Sequence, residues 1–376
     1  MPSLLGGHFD AIPDPRREHG KRHALADIFA LTLCAVVAGA NDFVAVEAFG
    51  RAQEAWLRQR LALAGGIPSH DTLARVFALL DRDHVEQSFA AWAADAFRRV
   101  HRTPTEPPET EQPLVAIDGK RLRRAHDAGA SVLVVVSAWA TESALALGQV
   151  ATTDGEGEIA AIPRLLALLD LHGCIVTMDA AGCQTDLAEQ IIESGADYVL
   201  AVKGNQSGLR TDLKRWLAEA AAEGEADTFE TVERGHGREE RRRYCCCAVP
   251  SGTIRALLWP GLRSVGVVEA TRTVSGKRSV ERRYYATSLE ADAESFGRAV
   301  RGHWGVENGL HWVLDVAFRE DESRSRVGHA AANLAVVRRV ATTLLEAEPF
   351  SKGGVQTRRM RAAWDAGYRE RVLQLE

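Results

Sequence analysis

The chain has 376 residues, of which 46% are apolar, and this length and composition fit two globular domains with sizeable cores. The net charge of −5 does not by itself indicate a nucleic-acid binder, although a whole-chain charge averages over local patches. The most apolar early run, 25–40, contains Asp27 and falls short of the roughly 20 residues that span a bilayer, so it predicts a buried helix and no membrane partner. No export signal opens the chain, which makes the cytoplasm the expected location.

Five short basic clusters interrupt this acidic chain. Each one alone is typical of a solvated face, but five together indicate basic surfaces that could meet a polyanion. The clusters are RREHGKR (16–22), KRLRR (120–124), REERRR (238–243), GKRSVERR (276–283) and RRMR (358–361).

The six cysteines do not indicate a zinc site or a disulfide framework. None has the paired spacing of a zinc ribbon, and a chain of this size needs no disulfides to fold. The adjacent trio Cys245–Cys247 would alternate between the two faces of a strand, so we interpret these residues as small apolar fillers rather than a soft-metal site.

Residues 1–102 carry apolar side chains at helical spacing, which predicts an all-helical N-terminal domain. Within it, GGIPSHDTLARVFALL (65–80) offers a Gly/Pro turn and then a helix that displays Arg75. This layout fits a helix-turn-helix reader of DNA and equally an ordinary helical hairpin. Three residues are placed as N-caps of the predicted helices: Asn41, Ser69 and Asp81.

The proline-rich, acidic segment 103–113 predicts a linker, and the pattern beyond it changes to alternating strands and helices. Three strand-like runs are followed by helix, strand, helix and strand, which is the order of a ribonuclease H-like fold. The predicted strands are 114–118, 131–140, 145–152, 174–180 and 197–204. The fold class is therefore α+β / α/β, with a catalytic core at 114–227 and 291–350, a β-rich insertion at 228–290 and a basic C-terminal tail at 351–376.

Three acids occupy the places where this fold would gather them. Asp118 and Asp179 each follow an apolar run and would come from neighbouring central strands, where two close carboxylates repel unless a cation compensates them. Hard oxygen ligands of this kind suit Mg²⁺ or Mn²⁺ and phosphoryl transfer. A third acid should arrive from a packed helix, and Glu307 in HWGVENGLHW is the candidate, four residues after His303 on the same helical face.

From residue 9 to about 372 the sequence resembles the ISAs1 family of insertion-sequence transposases, also known from H-repeat-associated proteins, within the DDE superfamily. The resemblance rests on many stretches, among them FDAIPDPRREHGKRHAL, IPSHDTLARVF, AIDGKRLR, GCIVTMDAAGCQ, GADYVLAVKGNQ and HWGVENGLHWVLDVAFRED. It implies cleavage and rejoining of double-stranded DNA at terminal inverted repeats and in a target, with a homodimer as the expected active complex. Asp118, Asp179 and Glu307 match the acidic triad, as catalytic residues and as metal ligands.

The resemblance also departs from the wider superfamily around the third acid. Related transposases carry a tyrosine, arginine, glutamate, lysine signature, where this chain has Val300, His303, Glu307 and Leu314. The roles of those basic and aromatic partners therefore do not transfer directly. The residues that we expect to contact DNA are Lys120, Arg121, Lys203, His303, Trp304 and Arg75.

Two alternatives stay open. One is a ribonuclease H-like, metal-dependent nuclease without strand transfer, and the other is an inactive, domesticated protein that only binds DNA. A phosphatase with Asp118 as nucleophile is disfavoured, because it would want a second aspartate at the position of Lys120.

Overall fold

A computed structural model describes residues 7–101, 112–125, 131–235, 238–275, 277–349 and 351–374. The chain divides into two compact units. Unit 1 comprises Met1–Pro107, Gly119–Leu169 and Val306–Glu376, and unit 2 comprises Pro108–Asp118 and Asp170–Gly305. Apart from Gln112 and Pro113, the predicted linker at 103–113 lies outside the described residues.

Helices make up most of the described part of unit 1, and α12 lies at its centre. Nearly every residue of α12 is buried, and this helix packs against α1 and α4. The apolar run at 25–40 forms α1, which is a buried helix as predicted, and no helix among the described residues combines the length and apolar character that a bilayer crossing requires. The helices of unit 1 are α1 (Leu25–Val37), α2 (Phe43–Ala52), α3 (Glu54–Leu57), α4 (His70–Leu79), α5 (Arg82–His101), α6 (Glu158–Leu168), α11 (Trp312–Val316), α12 (Ala330–Ala347), α13 (Val355–Trp364) and α14 (Ala366–Val372).

The predicted N-caps are confirmed for Ser69 and Asp81 and wrong for Asn41. The Ser69 hydroxyl accepts from the Thr72 backbone N–H at 3.3 Å, and the Asp81 carboxylate accepts from the His84 N–H at 3.1 Å. Asp42 caps α2 instead, because the side chain of Asn41 accepts a hydrogen bond from buried Arg359.

Unit 1 also holds a buried β-hairpin, β2 (Val134–Ala140) with β3 (Leu145–Ala151). The strand order in this unit is β3-β2-β1, where β1 spans Leu114–Arg121 and passes from unit 2 into unit 1. Helices α5, α6 and α12 pack against the hairpin, which explains why both strands read as continuous apolar runs rather than alternating ones.

Unit 2 is built on a mixed sheet in the order β1-β4-β5-β9-β8-β7-β6. Strands β1, β4 and β5 are parallel, while β5 pairs with β9 in the antiparallel sense and the remaining pairs form an antiparallel meander. The strands are β4 (Ile175–Met178), β5 (Asp197–Val202), β6 (Asp227–Gly235), β7 (Arg238–Ala248), β8 (Ser264–Val274) and β9 (Lys277–Thr287), and the helices are α7 (Thr185–Glu193), α8 (Ser207–Glu223), α9 (Ile254–Leu258) and α10 (Ala293–Gly305). Phe296 of α10 packs edge-on against Tyr244 and Tyr285 and anchors the helix to the sheet.

The α+β class and the predicted strands are confirmed, and the β-rich insertion at 228–290 continues the sheet of unit 2 through the pairing of β9 with β5. The helices before His101 share unit 1 with later parts of the chain, so a separate N-terminal domain stays a prediction. The segment expected to be a basic tail forms α13 and α14, and Arg359 within it is buried against backbone carbonyls at the end of α1. The Arg359 guanidinium donates to the carbonyls of Val36, in the last turn of α1, and of Ala40, just after the helix, and these hydrogen bonds satisfy its buried N–H groups.

Candidate active site

The two predicted aspartates come together on neighbouring strands of unit 2. Ile117 of β1 and Met178 of β4 are register partners; Asp118 is the next residue on β1, and Asp179 directly follows the end of β4. Equivalent positions on adjacent parallel strands face the same side of the sheet, and the strands lie about 4.8 Å apart. Both aspartates are half-buried, after four buried apolar residues on β1 and the buried strand β4. The sheet therefore presents two carboxyl groups side by side.

A tight turn fixes the backbone after β4. The Ala181 backbone N–H donates to the Asp179 carboxylate at 2.8 Å, which forms an Asx-type turn. The side chain of Asn205 donates to the Ala180 carbonyl at 2.7 Å and ties this turn to the segment that follows β5. The position of Asp179 is therefore fixed by the turn that follows β4 and by the Asn205 hydrogen bond to that turn.

Helix α10 lies close over this pair of strands because residue 302 is glycine. A Cβ atom at Gly302 would lie 2.5 Å from Leu114 Cδ1 on β1, which is closer than such contacts allow. One residue later, His303 Nδ1 lies 3.1 Å from the hydroxyl of Thr177, which is buried on β4 two residues before Asp179. Burial lowers the pKa of His303, and the charge of Asp179 opposes this shift. The structure thus brings His303 to the aspartate pair.

Trp304 follows His303 and faces the insertion strands of unit 2. The Arg283 guanidinium of β9 lies 4.9 Å from the Trp304 ring centroid, in a cation–π contact. Lys203 is exposed directly after β5. The hydrogen bond from Arg283 lowers the pKa of Glu281, and the charge of Lys203 lowers it further. A cationic and aromatic surface therefore lies near the end of β5, where this strand pairs with β9.

Glu307 lies in a π-helical turn, Val306–His311, that joins α10 to α11. Val306 and Leu310 are buried while Glu307 is exposed, and the backbone of Gly309 lies against Trp139 of β2, which a Cβ atom would approach to 3.1 Å. Short π-turns recur at functional sites because they re-aim side chains within a helix. Glu307 belongs to unit 1, so its meeting with the two aspartates stays a prediction.

Two of the cations expected to contact DNA differ in their surroundings, although both lie at the end of β1. Lys120 is 7% exposed, and its ammonium lies 2.6 Å from an Asp315 carboxylate oxygen and 2.8 Å from one of Asp321. Arg121 is exposed, as is Arg75 on α4. Burial raises the pKa of Asp315, and the Lys120 hydrogen bond opposes that shift. Lys120 is thus engaged by acids of unit 1, while Arg121 and Arg75 are presented to solvent.

Sequence reasoning missed two features of this region. The ion pairs of Lys120 were not foreseen, because Asp315 and Asp321 lie about two hundred residues away and no local pattern links them. The carboxyl group of Glu158 lies against Gly119, where a Cβ atom would come within 2.4 Å of its carboxyl carbon, and no signal pointed to it.

A divalent cation needs several oxygen ligands close together. Among the described residues, no three His, Cys, Asp or Glu side chains are grouped so that they could hold a metal ion. Two adjacent carboxylates nevertheless suit Mg²⁺, which is commonly bound through one or two carboxylates, with substrate phosphates and water as the other ligands. Asp118 and Asp179 fit that donor set.

Comparison with known proteins places these residues within two matched families. Residues 7–93 match a family described as DDE_Tnp_1-associated, and residues 109–344 match the Transposase DDE domain. The chain is 36% identical to the H repeat-associated putative transposase YhhI of Escherichia coli K12, over 97% of this chain and 96% of that protein. It is 38% identical to the putative transposase YncI of Escherichia coli O157:H7, over 99% and 94% respectively.

A solved structure also resembles the chain weakly. The cryo-EM structure of the piggyBac transposase synaptic complex with hairpin DNA is 11% identical, with a TM-score of 0.45 over 99% of this chain and 77% of that chain. A likeness of this size decides nothing about the present protein.

Proposed function

This chain belongs to the Transposase DDE domain family, and we propose on that premise that it cuts DNA at transposon ends and joins the freed 3′ ends to target DNA. The observation that carries the proposal is that Asp118 on β1 and Asp179, directly after β4, follow a pair of register partners on neighbouring strands. The strand orders β3-β2-β1 and β1-β4-β5 support a ribonuclease H-like core, in which such a pair lies on the central strands.

In the proposed reaction, water attacks the phosphorus at the transposon end, a new P–O bond forms, and the bond to the 3′ oxygen breaks. The released 3′ hydroxyl then attacks a phosphorus of the target, whose own 3′ oxygen leaves. No bond between enzyme and DNA is needed. A bound Mg²⁺ or Mn²⁺ would activate the attacking oxygen and stabilise the leaving one.

The chain's own groups have separate roles in this proposal. Asp118 and Asp179 would hold the cation, with Glu307 as a third ligand supplied from the π-helical turn. His303, held by its contact with Thr177 and with a pKa lowered by burial, would orient the DNA strand beside the aspartates. Fixed cations are needed because two carboxylates repel an approaching phosphodiester.

The DNA contacts follow from exposure and position. Arg121 and Lys203 are exposed near the ends of β1 and β5 and would contact phosphates, and Trp304 would face the strand beside His303. Arg75 on α4 would read a terminal inverted repeat. Lys120 is assigned a structural role instead, because its ammonium is buried between two acids. Two protomers, one for each transposon end, would form the active complex in the cytoplasm.

The test uses a labelled terminal repeat with its flanking DNA and a supercoiled target. Wild-type protein should nick the end in Mg²⁺ and join it to the target, while Asp118→Asn, Asp179→Asn and Glu307→Gln should lose cleavage by about 10³-fold or more and still bind DNA. Arg58→Gln is the control. Arg58 is exposed directly after α3, and this variant should cut DNA as wild type does.

Full cleavage by any acid variant would remove that residue from the triad. Cleavage without joining would favour the nuclease, and binding without cleavage by the wild type would favour the domesticated DNA-binding protein.

A further inference from the structure

Two basic clusters of the sequence fall on strands of unit 2: residues 238–243 lie on β7 and residues 277–283 lie on β9, with β8 between them. Side chains alternate between the two faces of a strand, so every second residue of each cluster shares a face. The register aligns Arg242 with Ala270, Ala270 with Glu281, and Glu240 with Arg272. One face of the meander therefore collects arginines that are distant in the sequence.

This face and α10 enclose a cavity of about 400 Å³, which we call the arginine groove. Two glutamates, Glu240 and Glu281, line it together with five arginines: Arg238, Arg242, Arg272, Arg283 and Arg301. The groove is therefore locally positive although the whole chain carries −5. Concave surfaces of one charge sign concentrate the opposite charge, which here is an anion.

Three of the five arginines pair with glutamates, and the other two lie at the outer end of the groove. Arg283 lies 2.8 Å from Glu281 and Arg301 lies 3.2 Å from Glu233. Arg242 is half-buried and pairs with Glu240 at 2.6 Å and with Glu233 at 3.1 Å, so it helps to hold the strands together. Arg238 and Arg272 lie exposed at the outer end of the groove. These two are positioned to meet a partner from solvent.

The spacing of the cations favours a polymer over a single anion. Neighbouring strands lie about 4.8 Å apart, so arginines on β7, β8 and β9 spread over about 10 Å. A DNA strand carries one phosphate per roughly 3.4 Å of helix axis, so about three phosphates fall within that width. The floor of the groove is formed by the buried side chains of Tyr244, Val268 and Tyr285, which belong to the core of unit 2.

Helix α10 connects the groove to the aspartate pair. Val300, Arg301 and Trp304 line the groove, and His303 of the same helix contacts Thr177, two residues before Asp179. We propose that the arginine groove binds the phosphate backbone of the DNA that flanks the cleaved bond. This inference rests on the proposed function and adds a DNA-binding surface to it, contributed by the insertion strands.

The experiment measures the affinity of the full-length protein for a labelled duplex of about 30 base pairs as salt rises from about 0.1 to 1 M. The test variant is Arg238→Ser with Arg272→Ser. The control is Arg241→Ser with Arg278→Ser, which removes the same charge from the opposite face of β7 and β9, where both arginines are exposed. Circular dichroism melting of each variant shows whether the strands remain folded.

Loss of two phosphate contacts should reduce the slope of log affinity against log salt by about 1.8. If the variant and the wild type bind equally at 1 M salt, the variant should therefore bind about 60-fold more weakly than wild type at 0.1 M. The control pair should bind nearly as wild type does. If the folded groove variant has the same affinity and salt slope as wild type, the proposal that the arginine groove binds DNA is wrong. The proposed function would still stand if the wild type cleaves DNA and Asp179→Asn does not. A wild-type protein that neither bound nor cut DNA would overturn both proposals.

Discussion

Lys120→Met tests whether the cation two residues after Asp118 in the sequence has a structural role. The sequence groups Lys120 with Arg121 as phosphate contacts, but the structure buries the Lys120 ammonium between Asp315 and Asp321 at 2.6 and 2.8 Å. Removing one partner of a buried ion pair costs about 3–5 kcal/mol, because the remaining charge is left uncompensated. Asp315 and Asp321 keep 39% and 24% of their side-chain surface exposed, and Arg123 lies 3.1 Å from Asp321, so water and this second cation reduce the expected cost to about 2–3 kcal/mol.

This loss can be read from a melting curve. The unfolding entropy of a chain of this size is about 0.8 kcal/mol per kelvin, so the Tm of Lys120→Met should fall by about 3–4 °C. Its DNA affinity, measured below the transition, should match that of wild type. Arg121→Met is the matched control on the same strand, and it should keep the wild-type Tm and lower the salt slope by about 0.9. A wild-type Tm together with weakened DNA binding in Lys120→Met would refute the structural assignment.

Two further substitutions test the packing of each unit. Gly302→Ala should lower DNA cleavage at least about tenfold and stability by about 1–3 kcal/mol, because its Cβ would lie 2.5 Å from Leu114. Gly235→Ala on β6, where nothing lies within 4 Å of the added Cβ, should leave both unchanged in the same assays. Burial raises the pKa of Glu86 from 4.5 to about 7, although the Ala151 N–H donates a hydrogen bond to its carboxyl group. Below pH 4.5 the carboxyl is neutral in both the folded and the unfolded state and costs no stability. As the pH rises through 7 it must ionise while buried, and the free energy of unfolding falls. Glu86→Gln should therefore equal wild type in urea unfolding near pH 4.5 and exceed it by about 3 kcal/mol above pH 8, and equal stability at both values would contradict the assignment.

The sequence predicts the strands and the aspartate pair well because both depend on local pattern. Apolar runs between turn residues mark β1 and β4, and a parallel pair joined through a helix brings Asp118 and Asp179 to equivalent positions. The register that aligns them follows from where each apolar run ends.

Features set by distant partners could not be predicted in this way. The sequence around a basic residue does not show whether its side chain lies in solvent or pairs with a distant group. Lys120 and Arg359 were therefore expected to be exposed, but both are buried. The choice of Asp42 over Asn41 as a helix cap depends on that same arginine, which arrives more than three hundred residues later. The groove likewise needed the register of β7, β8 and β9.

Binding of Mn²⁺ to the purified full-length protein, followed by electron paramagnetic resonance, tests most directly whether Asp118 and Asp179 form a metal site. The account predicts that wild-type protein removes Mn²⁺ from the free signal, that Mg²⁺ displaces it, and that Asp118→Asn or Asp179→Asn weakens binding by at least about tenfold. Wild-type Mn²⁺ affinity in both folded aspartate variants would contradict it.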